Sequence, residues 1–249
     1  MPAAILARTV LLEARRGGLP WLAGAGLAVA LGLAAFVSQV ALTESRSLQA
    51  SLLASVLRAC AMFLVAAQVT SSTLREQNDK ALELMLSLPL SRAAHYLGRL
   101  AGFIACGALL AVAFSLPLLL WASPAAVALW GLSLACEAAL VAAASLFFAM
   151  TLAQFAPAIA ATAGLYLLAR SIGAIQAIAG SPLTENRLAQ YAIDAVALLL
   201  PRLDAVTRTA WLLYEAPTAG VYAAALGTLI LYTALLAAAG LFDFYRRSV

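Results

Sequence analysis

The sequence predicts an all-α, polytopic membrane protein with six transmembrane helices, and three observations carry that reading. Of 249 residues, 65% are hydrophobic and only 10% are charged, where a soluble domain of this length carries about 25% charged residues. Too few charges remain to coat a water-exposed surface, and the mean hydropathy of +0.98 points the same way. Lipid is therefore the solvent for most of the chain, and a backbone in lipid must satisfy its own hydrogen bonds, in helices or in closed barrels. The apolar stretches are continuous and roughly 20 residues long, the length a helix needs to cross, without the alternation of a barrel strand.

The spans are expected over 19–42, 51–72, 96–121, 125–150, 156–179 and 217–243. Ahead of them, in 3–16, Ile5, Leu6, Thr9 and Leu12 recur at helical spacing with Arg8, Arg15 and Arg16 interspersed. That pattern suits an interfacial amphipathic helix, and Gly17-Gly18 and Pro20 allow a bend into the first span. Arg15-Arg16 before an apolar run resembles a twin-arginine leader, but the run that follows is longer than the 7–15 residues of a signal core. A retained first span is the expectation. Ser123-Pro124 supplies an N-cap and first-turn proline for the fourth span, Pro157 and Pro217 do likewise for the fifth and sixth, and Pro117 is expected to kink the third. Two segments are not spans: 73–95, polar and then amphipathic, and 180–216, rich in charge and broken at Pro201. The second reads as two short helices lying at, or dipping into, the outer interface.

Lysine and arginine placement sets orientation. With the N-terminus cytoplasmic, that side holds Arg8, Arg15, Arg16, Arg75, Lys80, Arg92, Arg99, Arg246 and Arg247, and the opposite side Arg46, Arg187, Arg202 and Arg208. Nine against four puts both termini and 73–95 in the cytoplasm, and 180–216 outside.

From Leu74 to Leu88 the cytoplasmic segment suits a short helix. Glu76 and Lys80 form a favourable i,i+4 pair, Leu82, Met85 and Leu86 make an apolar stripe, Leu84 and Leu88 lie on another side, Pro89 stops the helix, and Ser91 caps the next. A helix apolar on more than one side needs more than one surface: the inner end of the bundle and a partner protein. The plainer alternative is a solvated helix lying on the membrane.

The run Leu82-Glu83-Leu84-Met85-Leu86-Ser87-Leu88-Pro89-Leu90-Ser91-Arg92, followed by Gly98-Arg99, resembles the coupling-helix region of the ABC type-2 transporter permeases. That family shows Leu-Glu-x-Leu-Leu-Ser/Thr-x-Pro-hydrophobic-Ser-Arg and then Gly-Lys. Asp79-Lys80-Ala81 departs from it, since the family places glycine and Thr or Ser there. The motif covers about 20 residues, while the layout of interfacial helix, six spans, inner helix and outer helical element resembles the family over the whole chain. The resemblance implies a single permease domain over 1–249, in a bacterial inner membrane, with a separate ABC ATPase subunit docked on the 73–95 coupling region through Glu76, Lys80, Leu82, Glu83, Met85, Leu86, Pro89 and Arg92. It also implies pairing with a second copy or a paralogous permease, the first and fifth spans forming much of the seam. No Gly-x-x-x-x-Gly-Lys-Ser/Thr phosphate loop is present in the sequence, so this chain supplies no ATPase activity of its own.

Arg58, Glu137 and Arg170 fall within spans. Charges there cost about 2.5–3.5 kcal/mol each and turn toward the bundle interior or a substrate route. Glu137 and Arg170 differ in depth by about 5 Å at ~1.5 Å per residue, a gap long side chains bridge. They are expected to pair, either as a structural link or as a polar patch on the pathway, while Arg58 is placed to snorkel. Gln39, Gln68, Gln154 and Gln176 are expected to bond helix to helix. Cys60, Cys106 and Cys136 lie far apart in apolar runs and read as small buried hydrophobes, and the single His95 has no Cys or carboxylate cluster to make a metal site. No cofactor and no nucleic-acid partner is expected. The competing functions are a permease-like subunit that transmits ATPase motion to an extracytoplasmic maturation or assembly factor, of haem or copper-site type, and an intramembrane enzyme. The absence of HExxH, GxSxG and paired intramembrane carboxylates disfavours the last.

Overall fold

A computed structural model describes residues 2–40, 45–79, 91–180, 187–214 and 217–246. All regular structure among them is helical. The helices are α1 (Pro2–Arg16), α2 (Leu19–Val40), α3 (Ser45–Asn78), α4 (Arg92–Ser115), α5 (Pro124–Leu152), α6 (Phe155–Ala179), α7 (Arg187–Leu199), α8 (Ala210–Leu213) and α9 (Ala219–Arg246). Six segments, α2, α3, α4 with the turn after it, α5, α6 and α9, are long and apolar enough to cross a membrane. The chain is an all-α, multi-pass membrane protein.

Local sequence explains the helix ends. Ser91 and Ser123 each accept a backbone N–H three residues on, from Ala94 and Ala126, both at 3.3 Å. Gly18 turns α1 into α2 at φ +86°, a conformation that costs glycine little. Pro117 acts differently from a kink: α4 ends at Ser115, and Leu116–Leu120 tighten into a 3-10 turn. In α6 Pro157 sits two residues past the start, and Pro217 precedes α9 by two. Among its described residues the 180–216 segment holds α7, a 3-10 turn at Leu203–Ala205 and the single-turn α8, so of its two expected helices one is of substantial length there.

α5 is the central element, packed against α3, α4, α6 and α9, and Trp130, Leu134 and Leu146 are fully enclosed. α2, α6 and α9 lie outside, with Trp21, Phe36, Leu167 and Ile230 exposed to the lipid zone. Between lipid-bathed helices close packing, more than hydrophobic exclusion, drives association. The α1–α4 contact shows it: a Cβ at Gly102 would stand 2.8 Å from the Cβ of Val10, so even alanine there would displace α1.

α1, the C-terminal ends of α3, α5 and α9 and the start of α4 share one end of the bundle, here the proximal end; Arg92 reaches the Tyr245 carbonyl across it at 3.5 Å. The distal end carries α7, α8 and the turn after α4, where Trp121 donates to Gln49 at 2.8 Å. At about 1.5 Å per residue, the 34 residues of α3 extend well past a hydrocarbon core of about 30 Å. Leu74–Asn78, expected to open a separate cytoplasmic helix, are instead the last residues of α3.

Candidate functional site

Two buried polar clusters lie at different levels of the bundle, one at the proximal end and one, the distal node, near its middle. At the proximal end the tail of α3 brings Ser72 and Glu76 against the first turns of α4. Glu76 forms an ion pair with Arg99, and His95 Nε2 stands 3.5 Å from Glu76 Oε1. Arg99 also donates to Ser72 Oγ at 3.1 Å, and Ser72 Oγ donates to Glu13 Oε2 of α1 at 2.8 Å. The Arg99 guanidinium lies 5.3 Å from the Phe103 ring centre, and His95 stacks on Phe244 of α9. Side chains from four helices thus close one network.

Glu76 thus takes a long-range partner in Arg99, while the expected Glu76–Lys80 pairing falls on a residue outside the described ones. A carboxylate held between helices gains from the fixed, planar donor set of a guanidinium. Of the residues assigned to ATPase docking, Glu76 and Arg92 are described; Lys80, Leu82, Glu83, Met85, Leu86 and Pro89 lie outside the described residues. Glu76 is turned into the bundle, and Arg92 is half-buried against α9.

In the distal node, near the midpoint of α5, Glu137 is fully buried. It accepts from Tyr166 Oη at 2.9 Å and from Thr207 Oγ1 at 2.5 Å, and Arg170 Nη1 stands 3.5 Å from its Oε1. Glu137 and Arg170 do pair. The larger part of Arg170's bonding goes elsewhere, to the carbonyls of Leu203 at 2.6 Å, Val206 at 3.1 Å and Thr207 at 3.4 Å. Arg58 does not snorkel: it donates to the Thr207 carbonyl at 3.0 Å. Thr207 has φ +50°, a conformation a β-branched residue rarely adopts. Its carbonyl is held by two arginines and its hydroxyl by Glu137, which fixes the strained geometry. Gln176 likewise bonds the 180–216 segment, through Asp194 and Arg202, both at 2.9 Å.

Beside this node an apolar cleft of about 220 Å³ opens between α3, α5 and α6, lined by Met62, Phe63, Val141, Ile159 and Tyr166 among others. The three cysteines are free thiols. Among the described residues no three His, Cys, Asp or Glu side chains converge as metal ligands would. The proximal cluster holds helices to one another, and the distal node holds an irregular segment onto three spans. Sequence reasoning missed the proximal network, whose members lie in α1 and in the flanks of spans, and the backbone acceptors at Leu203, Val206 and Thr207. Compared with protein-family models and with curated proteins, the chain matches none.

Proposed function

We propose that this chain is the membrane-spanning permease subunit of an ATP-binding cassette transporter, an exporter, driven by a separate ATPase subunit that docks on the 73–95 region. One observation carries the reading. The motif at 82–92 is strung between two helices, α3 and α4, that the Glu76–Arg99 ion pair locks together and that Ser72 and Glu13 tie to α1. A push on the connecting segment would therefore reach three helices as one body, as a lever requires and as rigid-body coupling exploits. The excess of lysine and arginine at the proximal end fits a cytoplasmic position, where an ATPase works. A second copy or a paralogue would complete the pathway, and the apolar cleft beside Tyr166 suits a cargo with apolar character better than a sugar.

A second reading is favoured by the distal surface. α7 presents Leu188, Tyr191, Leu198 and Leu199 to the outside while anchored to α6 through Asp194 and to α9 through the Leu198 carbonyl, which accepts from Tyr232. Such a surface suits a subunit that relays motion to an extracytoplasmic factor; Leu198→Asp would then detach that factor and leave ATPase binding intact.

The test is purification of the tagged full chain from its native membrane, with ATP hydrolysis and co-purifying subunits measured. The wild type is expected to retain a phosphate-loop ATPase, and Glu83→Ala combined with Leu86→Asp to lose at least ten-fold of the retained activity at unchanged helical content. A wild type that carries no ATPase, or a variant that keeps it, contradicts the proposal.

A further inference from the structure

We propose that α1, the first turns of α2 and the C-terminal half of α4 build a binding site for one anionic phospholipid, its charged mouth at the arginines of α1. The site is a groove of about 600 Å³ with two arginines, Arg8 and Arg15, and an otherwise wholly apolar lining. Among the described residues no acidic side chain lines it.

The geometry of α1 creates the arrangement. At 100° per residue, Leu6, Val10 and Ala14 share one face, and all three are buried, with Val10 against Gly102 of α4. Arg8 and Arg15, seven residues apart, fall on nearly the same bearing of the helix, with Leu12 between them, on the side turned away from that contact. They are about 10 Å apart along the axis, close enough for two long side chains to converge on one phosphate. Both are exposed, and neither makes an ion pair or hydrogen bond among the described residues. Below them the groove runs between α2 and α4, past Gly24, Leu27, Leu109 and Ala113, and its walls are apolar as an acyl chain requires. A Cβ built on Gly24 meets nothing within 4 Å, so the glycine leaves a channel there instead of allowing a helix contact.

Charge complementarity selects the occupant. A zwitterionic lipid would fill the apolar channel equally well but would gain little from two unpaired guanidiniums, whereas arginine binds a phosphate with parallel hydrogen bonds and an anionic headgroup leaves its charge uncompensated by the lipid itself. Each basic residue near an anionic surface contributes about 1 kcal/mol, close to five-fold in affinity. Two of them predict a preference of about 25-fold.

The experiment uses the purified full chain in detergent micelles, a tail-labelled phosphatidylglycerol as probe, and unlabelled phosphatidylglycerol or phosphatidylcholine as competitors. Saturable binding at one lipid per chain is expected, with phosphatidylglycerol displacing the probe at least ten-fold better than phosphatidylcholine. Arg8→Gln with Arg15→Gln should weaken probe binding about 25-fold. Gly24→Leu should block the channel and abolish saturable binding, while leaving the oligomeric state and the thermal unfolding midpoint unchanged. Equal displacement by both lipids, full binding by the double arginine variant, or a Gly24→Leu change in oligomeric state, which would make the groove a seam between copies, overturns the site.

Discussion

The two polar clusters solve different problems with similar residues. At the proximal end each partner is a side chain: Glu13, Ser72, Glu76, His95 and Arg99 bond one another across α1, α3 and α4. In the distal node, near the middle of the bundle, Arg58 and Arg170 spend most of their hydrogen bonds on backbone carbonyls of 203–207. The first arrangement welds regular helices into one body. The second holds an irregular stretch of chain at a depth where its carbonyls would otherwise be unsatisfied, a position tolerated in membranes only when protein supplies the donors. A bundle welded at its proximal end and strapped near its middle can pass motion along its length without losing the irregular segment it holds.

That contrast can be broken first at Arg99. Arg99→Met leaves Glu76 enclosed with no guanidinium, and losing one partner of a buried pair costs about 3–5 kcal/mol. The expected outcome is a large drop in the thermal unfolding midpoint of the purified protein, partly restored by adding Glu76→Gln. A midpoint equal to wild type would mean that the proximal helices are held by packing alone. Next comes Arg170→Met, which removes the donors to three carbonyls and the guanidinium beside the fully buried Glu137, whose carboxylate keeps the Tyr166 and Thr207 hydroxyls, for about 3 kcal/mol. Here the effect should be local: proteolysis between 201 and 209 should accelerate at least ten-fold, with a smaller change in global unfolding. If global unfolding falls as far as in Arg99→Met, the two clusters do not differ in kind. The smallest effect is expected at Arg58→Met, which removes one donor to the Thr207 carbonyl while Arg170 keeps the other, for about 1 kcal/mol or less. Proteolysis at 201–209 should then rise only a few-fold.

Much of this was legible in the sequence, and what was not shares a physical cause. The spans follow from continuous apolar runs, and the caps at Ser91 and Ser123 from local chemistry alone. Glu137 and Arg170 could be paired from sequence because opposite charges at similar depths in lipid have few other partners. Glu76 could not be matched to Arg99: it sits in a polar flank with Lys80 four residues away, and spacing favours the local partner over one 23 residues on. The bonding of Arg58 was equally hidden, because its acceptor is a backbone carbonyl and any residue at position 207 would present one. Leu74–Asn78 continue α3 since nothing in that stretch stops a helix, and Glu76 finds its anchor only if the helix goes on.

The most direct measurement is site-specific photocrosslinking in living cells, with a photoreactive phenylalanine in place of Leu86 and, separately, in place of Leu198. The expected result is an adduct between position 86 and a phosphate-loop ATPase, identified by mass spectrometry, and no such adduct from position 198. Crosslinks from position 86 to lipid alone, or an ATPase adduct from the distal position, would contradict the lever and with it the transporter reading.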